Sequence, residues 1–90
     1  MTKDFPWYAS YPDGIPHTIN PDRYPSLPAV LDAMAEHFPS RIGYSNMGAG
    51  LSYAKTVQLT KDLAAYLQNL EGMVPGDRVA LMMPNLLQYI

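Results

Sequence analysis

The stretch GDRVALMMPNLLQYI, residues 76–90, decides the fold class expected of this 90-residue chain. Gly76-Asp77 is typical of a turn, and a strand is predicted over residues 78–83, of which residues 79–83 form a continuous apolar run. Such a run, without alternation of apolar and polar residues, favours a strand that is buried on both faces, as in parallel sheets. Pro84-Asn85 then predicts a stop and a helix cap, with a helix that starts in residues 86–90.

A strand buried on both faces constrains everything around it. It requires neighbouring strands at its edges and helices over both sides, and parallel pairing requires a crossover connection. The sequence offers one helix directly before the strand and one helical turn after it. We therefore expect an α/β protein that is the N-terminal fragment of a larger domain. Its expected order is extended arm, helix, β-hairpin, helix, buried strand and start of a helix.

Composition excludes several classes of function. The net charge is −2 without a basic or acidic block, so we expect no nucleic-acid partner. The chain has no cysteine, which excludes disulfides and thiolate chemistry. The first residues lack the apolar segment of a signal peptide, and no apolar run reaches the roughly 20 residues that span a bilayer. These features predict a cytoplasmic protein without a transmembrane segment.

Residues 1–26 are predicted to form an extended arm rich in proline and aromatic residues. Six of the nine prolines fall within the first 28 residues, and proline at this density disfavours both helix and central strand. One interpretation is a polyproline ligand for an aromatic groove. The other is an arm whose aromatic side chains lie on the protein's own surface. The absence of a PxxPxxP repeat favours the second interpretation.

Two helices and a hairpin are predicted after the arm. Ser26 is a candidate N-cap, with Pro28 in the first turn and Pro39 as the stop. In this first helix, apolar residues recur at helical spacing and form one face (Leu27, Val30, Leu31, Met34, Ala35 and Phe38). Strands at 42–45 and 51–53 flank the glycine-rich turn NMGAG, residues 46–50.

The second helix is predicted over residues 53–69. Ser52 is its candidate N-cap and Gly72 its candidate C-cap glycine. One face is apolar (Leu59, Leu63, Tyr66, Leu67 and Leu70). A further turn is expected at residues 74–77, before the buried strand.

No residue is predicted to be catalytic, to bind a cofactor or to bind a metal. Phosphate loops, dinucleotide fingerprints and zinc motifs are absent from the sequence. His17 and His37 are 20 positions apart, without carboxylates at suitable spacing, and are interpreted as surface residues. Met82-Met83 are interpreted as core-filling residues. The glycines of residues 46–50 lie between two strands, whereas a phosphate cradle would usually be followed by a helix N-terminus.

Four segments carry a resemblance to a known family. NPDRYPSLPAVLD (20–32), YSNMGAGLSY (44–53), AAYLQN (64–69) and PGDRVALMMPNLLQY (75–89) resemble the N-terminal region of bacterial long-chain fatty acid–CoA ligases. These enzymes belong to the AMP-forming acyl-adenylate synthetase superfamily. The resemblance runs from about residue 11 to residue 90. Thr56-Val57 departs from it, because the family usually has leucine followed by an acidic residue there.

The resemblance implies an activity for the full-length enzyme. Such ligases use ATP and Mg²⁺ to convert a fatty acid to an acyl-adenylate, and then transfer the acyl group to coenzyme A. Their catalytic motifs come after the position of residue 90, so no catalytic residue is carried over to this chain. Residues 27–90 would be the start of the AMP-binding domain, a scaffold that is inactive alone and holds no cofactor. Long-chain fatty acid and CoA are expected as partners of the full-length enzyme only. Peripheral association of that full-length enzyme with a membrane is compatible with the resemblance.

The residues leave other functions open. A stand-alone module could use this segment to pair with itself or with another chain, because an apolar strand with open edges is a template for pairing. A small lipid-binding or acyl-carrier-binding module is the third interpretation. We expect a homo-oligomer that forms through the exposed edges. Continuation of the gene into a phosphate loop rich in Ser, Thr and Gly would favour the enzyme.

Overall fold

A computed structural model describes residues 4–90 of the chain. A 3₁₀ helix (η1, Pro6–Ser10) is followed by helix α1 (Leu27–His37), strands β1 (Ile42–Asn46) and β2 (Ala49–Ser52), helix α2 (Tyr53–Gln68) and a second 3₁₀ helix (η2, Leu87–Tyr89). The two strands form one antiparallel sheet. The mixed α/β architecture expected from the sequence is confirmed, as are both helices and the hairpin.

Both α-helices begin at the serines that the sequence predicts. The Ser26 hydroxyl accepts a hydrogen bond from the Ala29 N–H at 3.2 Å, and the Ser52 hydroxyl accepts one from the Lys55 N–H at 3.1 Å. These bonds satisfy backbone donors that the first turn of a helix leaves without partners. Phe38 ends α1 directly before Pro39, which cannot continue the helix.

The hairpin turns through a two-residue loop. Asn46 pairs with Ala49, and the intervening Met47 and Gly48 have φ angles of 49° and 83°. Positive φ at both loop positions is what a type I′ turn requires, and its twist matches the twist of the flanking strands. Met47 is the only non-glycine residue with positive φ in the part of the chain that the structure describes.

Helix α2 is joined to the loop before the hairpin by backbone hydrogen bonds. The Tyr53 N–H donates to the Arg41 carbonyl at 3.0 Å, and the Ala54 N–H donates to the Pro39 carbonyl at 3.1 Å. Together with the Ser52 cap, these bonds satisfy the N–H groups of the first three residues of α2. The start of the helix is therefore fixed against the loop that links α1 to β1.

Gly72 and Gly76 shape the segment that follows α2. The helix itself ends at Asn69, whose side-chain amide donates to the Ala65 carbonyl at 2.7 Å. Gly72 has a φ of 82° in a turn that the Met73 N–H closes on the Leu70 carbonyl, and therefore is not the helix cap predicted for it. The turn predicted at residues 74–77 is confirmed, with Gly76 at a φ of 93°.

The buried strand predicted over residues 78–83 does not form. The segment carries no regular structure, and Met82 is 96% exposed. Because a strand buried on both faces needs partners at its edges, this run remains an exposed loop where no neighbouring strand is available. The helix predicted from residue 86 is reduced to the single turn η2.

The arm also differs from its prediction at one point. Residues 6–10 form the 3₁₀ helix η1 with Pro6 in its first turn, although helix was not expected there. Proline is compatible with a helix start because its missing N–H would have no intrahelical partner. The division of the chain at residue 26 remains a prediction, and residues 1–3 of the arm lie outside the described residues.

The elements pack without enclosing a core. Side chains of α1, the first half of α2 and the hairpin are half-buried where these elements meet, but no hydrophobic side chain among residues 4–90 is buried. The chain exposes 8242 Å², whereas a compact monomer of this size exposes about 5,200 Å². Its radius of gyration is 18.0 Å, compared with about 12 Å for a compact domain of 90 residues.

The contact between Gly43 and Tyr53 gives a first testable prediction. A Cβ atom at Gly43 would lie 2.6–2.9 Å from carbons of the Tyr53 ring, so Gly43→Ala requires the ring to move from its place against β1. We expect a loss of about 1–3 kcal/mol in the free energy of unfolding, measured by urea titration with circular dichroism. In a Tyr53→Ala background the same substitution should cost much less. An equal cost in both backgrounds would exclude the ring as its cause.

Candidate interaction surface

An apolar groove runs along helix α2 and is the main candidate site. It has a volume of about 560 Å³. One wall is the exposed stripe of α2 and the other comes from the end of the chain. We refer to this surface as the α2 groove, and its lining residues are Leu51, Thr56, Leu59, Thr60, Leu63, Ala64, Leu67, Leu81, Leu87, Gln88, Tyr89 and Ile90.

The stripe predicted on α2 is present but is not covered. Leu59, Leu63 and Tyr66 are 43%, 55% and 63% exposed, respectively. A helix in a globular protein normally presents such a stripe to the core. Here Leu59 and Leu63 line the open groove, whose lining also includes Leu81 and Ile90.

Thr56 lies at the base of the α2 groove. It is the one buried residue in the part of the chain described by the structure, with 3% of its surface exposed. Its hydroxyl donates to the Ser52 carbonyl at 2.8 Å, and the Thr60 hydroxyl donates to the Thr56 carbonyl in the same way, also at 2.8 Å. Threonine can bond the preceding helical turn in this manner. The polar residue that departs from the family pattern is therefore satisfied by its own helix.

None of the described residues that line the α2 groove is charged. Phosphate groups and metal ions are held by charged side chains or by convergent backbone N–H groups, and the first N–H groups of α2 already have partners. The groove therefore does not fit the phosphates of ATP or CoA, nor a Mg²⁺ ion. Its chemistry suits an apolar occupant.

A second, smaller groove lies between β1 and η2. It has a volume of about 390 Å³, and the Asn46 side-chain amide crosses it to donate to the Asn85 carbonyl at 3.3 Å. This bond attaches the end of the chain to the hairpin. It was not predicted, because the sequence gives no signal for a contact between residues 39 positions apart. The lining residues are Gly43, Tyr44, Ser45, Asn46, Asn85, Leu86, Leu87 and Ile90, again without a charge.

The histidines lie on separate elements. His17 is in the arm, where its ring stacks on Tyr8 with centroids 3.7 Å apart and planes 7° apart. His37 is the last residue of α1, with its ring 6.3 Å from that of Phe38. Among residues 4–90, no three His, Cys, Asp or Glu side chains are placed to hold a metal ion.

The aromatic residues of the arm pack against one another. Phe5 stacks on Trp7 with ring centroids 4.5 Å apart, and Tyr11 meets His17 edge-on at 5.3 Å. Aromatic pairs of this kind contribute about 0.5–1.5 kcal/mol each beyond the area they bury. The sequence indicated the cluster through its composition, but not the pairing of Tyr8 with His17.

Met82 and Met83 are exposed and were wrongly predicted as core-filling residues. Met82 is almost fully exposed and Met83 is 37% exposed. Both belong to the unpaired run of residues 78–83, so their position follows from the failure of that strand to form. No helix in the described part of the chain is long and apolar enough to cross a membrane.

Residues 4–90 form a mixed α/β segment with an apolar groove that none of the described charged residues lines. Curated relatives of this segment are long-chain-fatty-acid–CoA ligases. The ligase of Salmonella typhimurium is 45% identical over 83 residues, and that of Bacillus subtilis is 37% identical over 90 residues. A salicyl-AMP ligase of Mycobacterium tuberculosis is 39% identical over 69 residues.

These matches cover most of this chain but little of each relative. The match to the Salmonella ligase covers 92% of this chain and 15% of the ligase. For the Bacillus ligase these shares are 100% and 16%, and for the Mycobacterium ligase they are 71% and 12%. No protein-family model and no solved structure matches the chain. The resemblance predicted from the sequence is confirmed: this chain is homologous, over nearly all of its length, to a segment of long-chain-fatty-acid–CoA ligases.

The environment of Thr56 gives a second prediction. Thr56→Val keeps the shape of the side chain and loses only a hydrogen bond to a carbonyl that also accepts within the helix, so we expect a change below about 1 kcal/mol in the free energy of unfolding. Thr56→Asp places a charge at a buried position without a cationic partner, and should cost about 1–3 kcal/mol or more. Urea titration followed by circular dichroism measures both. An equally large loss for both variants would contradict the assignment of Thr56 as a satisfied groove residue.

Proposed function

We propose that this chain is a scaffold segment of a long-chain fatty acid–CoA ligase, in which the rest of the adenylation domain covers the α2 groove. The observation that carries the proposal is the match of nearly the whole chain to about 15% of ligases bearing that name. The uncovered apolar stripe of α2 supports it independently, because a stripe of this width is normally covered in a folded domain.

The full-length enzyme would activate a long-chain fatty acid in two steps. A carboxylate is a poor electrophile, and transfer of AMP from ATP, with release of pyrophosphate, gives it a good leaving group. Attack by the thiol of coenzyme A then forms the thioester and releases AMP. The proposed enzyme is cytoplasmic and uses Mg²⁺ with ATP. None of these groups is assigned to residues of this chain, because neither groove offers charged ligands.

The role of the segment is to supply packing surfaces. Residues 79–83 provide an apolar run that lacks strand partners, and α2 provides an apolar stripe. Covering these surfaces would remove apolar side chains from water, which is the main favourable contribution to folding. The segment would thus gain stability from the domain around it.

A chimera tests the proposal. The 83-residue matching segment of the Salmonella ligase is replaced by the aligned residues of this chain, and palmitate-dependent formation of acyl-CoA is measured. We expect activity within about tenfold of the parent ligase, because a correctly covered scaffold leaves the transition-state contacts unchanged. A matched chimera carrying Leu63→Glu should lose most of its soluble, active enzyme, since a carboxylate would be buried against the domain.

Two outcomes would contradict the proposal. A soluble, folded chimera without acyl-CoA formation would show that this segment cannot replace its homologue. Full activity of the Leu63→Glu chimera would show that the domain does not cover the α2 groove. Ile19→Glu in the same chimera is the control for added charge, because Ile19 lies in the arm and is 84% exposed.

The second candidate function is a separate interaction module. The same uncovered stripe of α2 favours it, since large exposed apolar patches mark interaction sites. The two candidates differ in where the covering surface comes from: the same polypeptide in the ligase, or another chain in the module.

Nucleotide binding gives a further prediction for the 90-residue chain. Because its grooves carry no charged ligand, titration with Mg-ATP in a calorimeter should produce no saturable heat up to about 1 mM, the range of weak binding. The chimera described above serves as the positive control under the same conditions. A micromolar isotherm with the 90-residue chain would overturn its assignment as scaffold.

A further inference from the structure

Asp13 and Gly14 form the only aspartate–glycine pair in the sequence, which has no asparagine–glycine pair. Both residues are exposed, in a turn of the arm that the Ile15 N–H closes on the Pro12 carbonyl at 3.2 Å. Gly14 has a φ of 84°, and a Cβ atom added to it would meet no atom within 4 Å apart from its chain neighbours. The backbone nitrogen of Gly14 is therefore open to approach from the Asp13 side chain.

This arrangement permits a reaction between the Asp13 carboxyl group and the backbone. In the acid form of that group, the Gly14 nitrogen attacks Cγ, a C–N bond forms, and the carboxyl hydroxyl leaves as water with the amide proton. The product is a five-membered succinimide ring, and water then opens it at either carbonyl. Opening at the former backbone carbonyl leaves isoaspartate, in which the chain runs through the Asp13 side chain. The rate depends on how readily the backbone reaches the attack geometry, and glycine restricts the backbone least.

Aspartates elsewhere in the chain are less suited to this reaction. Asp32 and Asp62 lie within α1 and α2, where helical hydrogen bonds hold the backbone. The Asp77 carboxylate accepts a backbone hydrogen bond at 2.9 Å. Asp22 is the best comparison, because it is also exposed in a turn of the arm. Its neighbour Arg23, however, carries a Cβ atom that restricts the backbone and hinders approach to the nitrogen.

The turn at residues 12–15 also determines how the arm packs. It lies between Tyr11 and His17, and it returns the chain so that the His17 ring stacks on Tyr8 at 3.7 Å and meets Tyr11 edge-on at 5.3 Å. Isoaspartate at position 13 would add one carbon to the backbone inside this turn. A β-turn requires a fixed number of backbone atoms between its first carbonyl and its last N–H. The longer backbone would therefore open the turn.

We propose that Asp13-Gly14 is a site of spontaneous isomerisation to isoaspartate, and that the product releases the His17 ring from Tyr8. The site lies entirely within the arm. The inference does not rest on the proposed function.

Digestion of an aged sample tests the site. The 90-residue chain is kept for weeks at physiological temperature and cut with trypsin, which releases residues 4–23 with both Asp13 and Asp22. Endoproteinase Asp-N then cuts before aspartate but not before isoaspartate. We expect resistance to appear about tenfold faster at Asp13 than at Asp22, which corresponds to about 1.4 kcal/mol in the barrier. Equal resistance at the two positions, or none at Asp13, would overturn the proposal.

Proton NMR of the same sample tests the release of His17. Stacking on Tyr8 shifts the His17 ring protons upfield, so isomerised molecules should give a second, more downfield set of His17 signals in the proportion found by digestion. His37 lies on α1 and should keep one set. Asp13→Glu retains the charge but would have to close a six-membered ring, and after the same ageing it should show only the original His17 set. A single His17 set in a sample that contains isoaspartate, or a second set in Asp13→Glu, would contradict the proposal.

Discussion

The uncovered apolar stripe of helix α2 is the constraint on which the rest of this structure depends. Leu59, Leu63 and Tyr66 form a stripe of the kind that a globular protein covers, yet residues 4–90 place no second layer over them. Secondary structure gains most of its stability from tertiary packing rather than from local propensity. The radius of gyration of 18.0 Å and the exposed surface of 8242 Å² agree with a chain whose apolar side chains are not covered.

Where local interactions suffice, the sequence predicted the structure closely. Ser26 and Ser52 cap their helices through bonds to the third residue that follows each of them, and Pro39 ends the first helix region. The hairpin loop and the turn at residues 74–77 form where glycine permits positive φ. These signals act over two to five residues, so they need no knowledge of the remaining chain.

Where the structure depends on distant partners, prediction from the sequence failed. Residues 79–83 have the composition of a buried strand, but strand formation requires hydrogen-bonding neighbours, and the loop stays exposed. Gly72 has the positive φ of a cap glycine but serves a separate turn. For the candidate site, the stripe on α2 was predictable from helical periodicity. Neither the burial of Thr56 nor the bond from Asn46 to Asn85 was, because both depend on tertiary packing.

A scaffold segment leaves apolar surfaces that its own fold does not cover, and an open shape of the separate chain is the consequence. Small-angle X-ray scattering on the dilute 90-residue chain, extrapolated to zero concentration, measures this most directly. We expect a radius of gyration near the 18.0 Å of the structure. A value of about 12 Å, that of a compact domain of this length, would mean that the chain buries its own apolar surface and that the segment is not an open scaffold.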